Sequence, residues 1–236
     1  MIPISEAAIR LGVSIDTLRR WDKSGKLRAK KSAGGHRYYS EKDINLFLEE
    51  LSEMAYEWAA NSVAVELPSM FYCQDGSIFQ ARLIKMQDAI SQTESFNRIL
   101  SLLVAIAGEI GNNSFDHNIG NWPDMPGIFF GYDINKKEIV LADRGLGVLK
   151  TLKRVKPKLD NHQDALNIAF TEMISGRSPE DRGNGLKFVR KIVAENPISL
   201  LFQSGDAELE IDKETSKLNL KKSKRFIRGC IAIIKF

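Results

Sequence analysis

The sequence predicts an α+β protein in which a small winged helix-turn-helix unit precedes a larger α/β sandwich. The first observation is a pair of short helices joined by a glycine-containing turn and followed by a basic hairpin. The second is a long stretch of helical spacing near the middle of the chain. The third is a set of strand-like segments beyond that stretch, separated by turn residues. A chain of 236 residues is long enough for two such units.

Charge separates the two units. Residues 1–40 contain nine Lys or Arg against three Asp or Glu, a charge of +6, whereas the whole chain carries +4, which leaves −2 for the rest. This asymmetry indicates an N-terminal module that binds an anion. Cys73 and Cys230 form no disulfide pattern, and the first residues show no signal peptide or membrane span. We therefore expect a cytoplasmic protein.

Capping residues and apolar spacing define the first two helices. Ser5 can cap a helix that extends to Leu11, and Ser14 can cap a second helix that ends at Gly25. Gly12 supplies the turn between them. The residues expected in the small core are Ala7, Ala8, Leu11, Val13, Leu18 and Trp21.

A basic segment, residues 27–39, follows these helices and is predicted to form a hairpin, or wing, with Gly34-Gly35 in its turn. The strings Ile4-Ser-Glu-Ala-Ala, Thr17-Leu-Arg-Arg-Trp and Gly-Gly-His36-Arg-Tyr resemble the winged helix-turn-helix of MerR-type regulators and excisionase-like proteins. The resemblance covers about residues 2–50. It implies that the second helix enters the major groove of double-stranded DNA while the wing contacts the backbone. The implied DNA-contacting residues are Thr17, Arg19, Arg20, Lys30, Lys31, His36 and Arg37.

An amphipathic helix is predicted from about Glu41 to Ala60, because apolar residues recur there at helical spacing. The stripe covers only about two heptads. It can therefore form a coiled coil in a homodimer or pack on the neighbouring unit. Pro68 and Gly76 interrupt the pattern further on. We expect a DNA-binding unit at residues 1–60, a linker at 61–80 and a second unit at 81–236.

Glu109 and Asn113 lie on one face of the helix predicted within residues 81–120, since an i,i+4 spacing stacks two side chains. An Asn oxygen can take one position on Mg²⁺, which keeps most of its water and phosphate ligands. A Glu can orient or deprotonate an attacking water or hydroxyl. A polar pair on a hydrated helix face would give the same spacing.

Asp143 ends the second of two predicted strands, residues 126–132 and 138–143, and is followed by Arg-Gly-Leu-Gly147. A carboxylate there can accept a hydrogen bond from an amino group. Gly145 and Gly147 let the backbone approach a flat ring. An ordinary Asp-Gly turn on the surface is the alternative interpretation.

A long polar connection, residues 148–182, separates this loop from Gly183-Asn-Gly185. Connections of this length are often functional lids. The two glycines open a predicted helix, where backbone N–H groups can bind phosphate, and Arg182 can add positive charge. A flexible turn would also explain the pair. Further strands are predicted at Ile198–Gln203, Ala207–Ile211 and Gly229–Phe236, with a basic turn that contains Lys221, Lys222, Lys224 and Arg225.

Glu109-Ile-Gly-Asn-Asn113, Asp143-Arg-Gly-Leu-Gly147 and Arg182-Gly-Asn-Gly-Leu186 together resemble the N box and the two glycine boxes of one ATPase superfamily, which contains gyrase, Hsp90, histidine kinases and MutL. The resemblance covers about residues 80–236. It implies the histidine-kinase-like ATPase (Bergerat) fold, with helices on one face of a mixed sheet, Mg²⁺ and ATP as cofactors, and a mobile lid. Cys230 departs from the pattern, because many members have Thr after the glycine at that place.

The same resemblance implies roles for single residues. Glu109 would be the general base, Asn113 the Mg²⁺ ligand, and Asp143 the acceptor for adenine. The residues that would shape the nucleotide pocket are Gly145, Gly147, Arg182, Gly183 and Gly185.

Three functions are compatible with this combination. The first is a transcription regulator whose DNA binding is linked to ATP. The second is a protein serine kinase of the anti-sigma type that phosphorylates an antagonist protein. The third, a nucleotide-dependent clamp on DNA, is disfavoured because no transducer segment follows the ATPase unit. A two-component autokinase is also disfavoured, because the one histidine upstream of the N box, His36, lies in the wing.

Overall fold

The computed structural model describes residues 1–25, 27–41, 43–44, 47, 51–65, 67–172, 185–213, 215 and 217–236. These residues form a small N-terminal unit and a larger C-terminal antiparallel sheet with helices. Residues 173–182 of the expected lid, which include Arg182, lie outside the described residues, as do Gly183 and Leu48 of the amphipathic stripe.

The N-terminal unit combines two helices with a three-stranded antiparallel sheet in the order β1-β3-β2. Its core, as expected, contains Ala7, Ala8, Leu11 and Leu18, all buried, with Val13 and Trp21 packed against them. The elements are β1 (Ile2–Pro3), α1 (Ile4–Arg10), α2 (Ile15–Ser24), β2 (Lys30–Lys31) and β3 (Arg37–Tyr39).

Of the helix caps predicted for this unit, those of α2 are confirmed and that of α1 is not. The Ser14 side chain accepts a hydrogen bond from the Thr17 N–H at 3.1 Å, and Gly25 ends α2 with a φ of 77°, so both predicted caps are confirmed. The prediction that Ser5 caps α1 is wrong. The helix begins at Ile4 after an extended Pro3, so Ser5 already lies in the first helical turn.

Beyond the wing, the described residues define the bounds of six further α-helices. The single helical stretch expected in residues 81–120 is two helices, because residues 92–99 interrupt it with a short 3₁₀ turn, Glu94–Phe96. The helices are α3 (Leu51–Ala60), α4 (Gly76–Ser91), α5 (Leu100–Asn118), α6 (Gly147–Leu152), α7 (His162–Thr171) and α8 (Gly185–Glu195).

The larger sheet has five strands in the order β4-β5-β6-β8-β7. Every pairing between these strands is antiparallel, so the expectation of a mixed sheet is wrong for them. Two hairpins, β5–β6 and β7–β8, supply most of the pairings, and hairpins are antiparallel by construction. The strands are β4 (Tyr72–Cys73), β5 (Ile128–Asp133), β6 (Glu138–Asp143), β7 (Ser199–Ile211) and β8 (Asn219–Lys235).

Helices cover both faces of this sheet, which corrects the expectation that they lie on one face. Phe130 and Leu141 point into a core shared with α4, α5, α7 and α8. Phe129 and Val140, one residue along their strands, point into a second core that α3 covers. In these strands, the residues that point to one face of the sheet and those that point to the other are both apolar. Both faces must therefore be shielded from water.

Helix α3 packs on the neighbouring unit, one of the two placements expected for the amphipathic stripe. Leu51, Ala55 and Trp58 are buried against the sheet. Phe47 packs against both this core and the core of the N-terminal unit. The stripe therefore joins the two units through shared apolar packing.

Candidate nucleotide site and DNA interface

Helix α5 presents Glu109 and Asn113 side by side. The Asn113 Nδ2 atom donates a hydrogen bond to Glu109 Oε1 at 3.2 Å, and both side chains are half-buried. This contact uses the amide nitrogen of Asn113 and leaves its carbonyl oxygen as an acceptor. The pair can thus present one neutral oxygen and one carboxylate to a ligand.

Gly185 brings the start of α8 against this pair. A Cβ added at Gly185 would overlap Glu109 Oε1 and approach Asn113 Nδ2 to 3.1 Å. Only a residue without a side chain permits this approach. Two segments more than 70 residues apart in sequence thus meet at Glu109, as the combined motif predicts.

Asp143 lies at the end of β6 and is 2% exposed. Its Oδ2 accepts from Ser114 Oγ at 2.8 Å and its Oδ1 accepts from the Gly145 N–H at 2.8 Å. Burial raises the pKa of Asp143 to about 6, although the hydrogen bonds from Gly145, Ser114 and the Cys230 N–H oppose the rise. The carboxylate is therefore held rigidly and remains mostly ionised at neutral pH.

The loop after Asp143, residues 143–147, is fixed by two side chains that sequence reasoning missed. Asn118 Oδ1 accepts from the Leu146 N–H at 2.8 Å, and a Cβ at Gly145 would overlap the Asn118 side chain. Ser204 Oγ accepts from the Val148 N–H at 2.9 Å. Gly147 has a φ of 72°, a conformation that favours glycine. We call residues 143–147 the glycine loop.

Gly229 and Cys230 of β8 lie behind the glycine loop. A Cβ at Gly229 would overlap Asp143, so this glycine is also required by close approach. Burial raises the pKa of the Cys230 thiol well above its usual range, so the thiol stays protonated. A protonated thiol is a weaker hydrogen-bond donor than the hydroxyl of a Thr.

Lys187, in the first turn of α8, is a second residue that the motifs did not indicate. Its Nζ atom is buried and has no hydrogen-bond partner among the described residues. Burial lowers the pKa of Lys187. A buried ammonium without a partner is unfavourable, and an anion beside it would relieve the cost.

No cluster of three or more His, Cys, Asp or Glu that could hold a metal ion occurs in the described part of the chain. A Mg²⁺ ion at Asn113 would have one amide oxygen from the protein there, with the remaining positions filled by phosphate and water. Mg²⁺ commonly binds in this way in phosphate-transferring sites.

The exposed face of α2 and the wing form the second candidate surface. Arg19 and Arg20 are exposed, as are Lys30, Lys31 and His36 in the wing. Thr17 is half-buried, and its hydroxyl lies 3.0 Å from Ser14 Oγ. The predicted DNA-contacting residues therefore all lie on the N-terminal unit, although the Thr17 hydroxyl already contacts Ser14 at the start of α2.

Asp22 joins the wing to α2. Arg37 Nε donates to Asp22 Oδ2 at 2.7 Å, and the Ala29 N–H donates to Asp22 Oδ1 at 3.0 Å. The hydrogen bonds from Ala29 and Arg37 lower the pKa of Asp22. Arg37 therefore holds the wing in place, in addition to any contact that it makes with a phosphate.

Residues 3–39 match the MerR family of regulatory proteins. The matched segment contains both helices, the turn and the wing, so the N-terminal unit has a MerR-family helix-turn-helix domain. The match supports a role as a transcription regulator. No curated protein matches the chain. None of the described helices has the length and apolar composition needed to cross a membrane.

Arg144, the second residue of the glycine loop, connects that loop to α3. It is 0% exposed, and its Nη2 lies 2.5 Å from Asp124 Oδ2. Nη1 donates to the carbonyl of Trp58, and Nη2 donates to the carbonyl of Ser62 at 3.4 Å. The guanidinium thereby caps the C-terminal end of α3, where cations are favourable.

The MerR domain also touches the large sheet directly. A Cβ at Gly12, in the turn between α1 and α2, would lie 2.7 Å from the Tyr132 hydroxyl oxygen. Leu11 and Gly12 line a small crevice together with Phe71 and Tyr132. The turn between α1 and α2 therefore rests on β5.

Proposed function

We propose that the protein is a transcription regulator whose MerR domain binds double-stranded DNA under the control of Mg-ATP in the C-terminal unit. The observation that carries the ATP proposal is the meeting of Glu109, Asn113 and Gly185 beside the glycine loop. The family match of residues 3–39 carries the DNA proposal. The GHKL-type (gyrase, Hsp90, histidine kinase, MutL) architecture and the Bergerat fold are part of this proposal.

The side chains are chemically suited to a nucleotide. Asp143 would accept a hydrogen bond from the exocyclic amino group of adenine, and its buried setting favours one fixed orientation. Asn113 would offer its free carbonyl oxygen to Mg²⁺. Lys187, two residues beyond Gly185 on α8, would add positive charge at this end of the helix. Bound Mg-ATP would supply a metal-activated phosphoryl group.

Glu109 would act on the attacking group. Its Oε1 already accepts from Asn113, so Oε2 is the oxygen that can orient a water or hydroxyl. General-base assistance typically contributes 10²- to 10⁴-fold to a rate. The proposal therefore includes hydrolysis or transfer of the terminal phosphoryl group in addition to binding.

Two packed connections support the link between the sites. Arg144 joins the glycine loop to the end of α3, and Phe47, before α3, packs against the MerR core. Gly12 rests on Tyr132 at a separate point. A nucleotide that shifts the glycine loop would act on α3 through the buried Arg144 guanidinium, which donates to the Trp58 carbonyl and has little freedom to absorb the shift.

The test of the ATP proposal is nucleotide binding and hydrolysis by Glu109→Gln. We expect this variant to bind Mg-ATP within about threefold of wild type and to lose at least about 10²-fold in hydrolysis. Glu195→Gln, an exposed change on α8, is the matched control and should hydrolyse normally. Full hydrolysis by Glu109→Gln would remove the base role, and failure of wild type to bind would remove the ATP site.

A protein serine kinase is the second candidate, because a carboxylate beside Asn113 can serve a hydroxyl as well as a water. With labelled ATP, a kinase would transfer phosphate to a Ser of a protein purified with the chain, and Glu109→Gln would abolish the transfer. A regulator that only hydrolyses ATP would release inorganic phosphate and label no protein.

A further inference from the structure

A separate cavity of about 280 Å³ lies beside the glycine loop. Leu146 and Gly147 form one wall, but none of Glu109, Asn113, Asp143 or Gly185 lines it. The other walls come from α6, the first residue of α7, and the adjoining parts of β7 and β8. Of the described residues proposed to form the nucleotide pocket, only Gly147 lines this cavity.

Positive charge is concentrated at the cavity. Lys150 and Lys153 of α6 and Arg228 of β8 line it. Arg228 pairs with Asp124 at 3.1 Å, whereas the two lysines form no ion pair among the described residues. The walls therefore carry two cations available to an anionic ligand.

An exposed aromatic ring stands at the same cavity. Phe226 is 61% exposed, and its ring centroid lies 5.8 Å from that of His162, with the planes at 70°. Leu149 and Ile227 add aliphatic walls. A flat apolar ligand would cover the Phe226 ring and remove its surface from water.

The cavity wall around His162 is closely packed. His162 Nδ1 lies 2.7 Å from Asp206 Oδ1, and Lys222 Nζ lies 3.4 Å from the other oxygen of that carboxylate. Gly205 has a φ of 62°, and a Cβ there would overlap the His162 ring. Packed backbone and a fixed ring thus set the shape of this wall.

We propose that this cavity binds a small aromatic anion, that is, a flat ring carrying a phosphate or a carboxylate. Small-ligand sites are concave and mostly apolar with a few placed charges, and this cavity has that composition. Lysine ammonium groups bind either anion as point charges. A DNA backbone would meet the same lysines, but it would leave the enclosed apolar walls unfilled.

The probe is 8-anilinonaphthalene-1-sulfonate, an aromatic anion whose fluorescence rises in an apolar site, titrated into the full chain. We expect one site per chain and at least tenfold weaker binding in Lys150→Gln/Lys153→Gln. Phe226→Ala should also weaken it. The matched control, Lys136→Gln/Lys191→Gln, removes two exposed charges elsewhere and should bind as wild type does. Melting temperatures will confirm that all variants are folded.

Competition experiments distinguish a ligand that carries a phosphate from one that carries a carboxylate. Displacement by phenyl phosphate, which has no adenine for the proposed nucleotide site, points to a phosphate-bearing ligand. Displacement by salicylate points to a carboxylate, and inorganic phosphate should displace poorly because it has no ring. If Lys150→Gln/Lys153→Gln binds the probe as tightly as wild type and the control variant do, the proposal is overturned. Displacement by a 20-base-pair DNA duplex alone, and by neither aromatic anion, would also overturn it.

Discussion

Three glycines of the C-terminal unit lie where a Cβ would overlap a polar side chain of the candidate nucleotide site. Gly185 adjoins Glu109, Gly145 adjoins Asn118, and Gly229 adjoins Asp143. The spacing of Glu109 and Asn113 and the glycine-rich strings were visible in the sequence. Asn118 and Ser204 were not, because their partners are backbone N–H groups of remote segments and no local pattern records them.

Substitution of Gly185 tests the close approach at Glu109. We expect Gly185→Ala to lower Mg-ATP affinity or hydrolysis at least tenfold, because the new methyl group must displace the Glu109 carboxylate. The end of a Glu side chain can move, so the melting temperature should change little. Gly76→Ala, with open space around its Cβ, is the control and should retain full binding in a calorimetric titration. Equal binding and hydrolysis by both variants would contradict the assignment.

Asp143 gives a pH-dependent prediction. Its folded pKa of about 6 exceeds the unfolded value of about 3.9. The stability that it contributes is therefore fully present below about pH 4 and is lost as pH rises through about 6. We expect the unfolding free energy of wild type minus that of Asp143→Asn to fall by about 2 kcal/mol between pH 4 and pH 7 in urea denaturation. A difference that is constant with pH would refute the raised pKa.

At the scale of elements, the packing partner of α3 was the feature that the sequence determined least. Its apolar stripe predicted a helix, but a stripe of two heptads suits a coiled coil and a sheet equally well. The deciding partner is Arg144, whose guanidinium caps α3 from the glycine loop, far along the chain. Apolar runs located β5 and β6, but the two strands predicted within residues 198–211 are one strand, β7. The basic turn predicted at Lys221–Arg225 is part of β8, and β4 was not predicted.

The two arginines on Asp124 provide a matched comparison. Arg144 is fully buried, whereas the Arg228 side chain is 37% exposed. We expect Arg144→Lys to lower the unfolding free energy by about 2 kcal/mol, since Lys cannot reproduce the forked contacts with Asp124 and two carbonyls. Arg228→Lys should cost less than about 1 kcal/mol because exposed pairs contribute little. Similar losses in the two variants would show that Arg144 is not the connection between the glycine loop and α3.

At the scale of the whole molecule, the two units share packing that neither motif predicted. The MerR match stops at residue 39, and the nucleotide motifs begin at residue 109. Between them, Phe47 and α3 lie across the second face of the sheet, and Gly12 rests on Tyr132. Tertiary contacts of this kind depend on surface shape, which spacing in a sequence does not encode.

The most direct measurement is the affinity of the full chain for a DNA duplex, selected by the protein from a random pool, with and without Mg-ATP at fixed salt. We expect the affinity to differ at least about fivefold between the two conditions, as coupling energies between linked sites usually exceed about 1 kcal/mol. Arg144→Lys should reduce that difference. Equal DNA affinity with and without Mg-ATP, in a protein that binds both ligands, would contradict the link between the nucleotide site and the DNA reader.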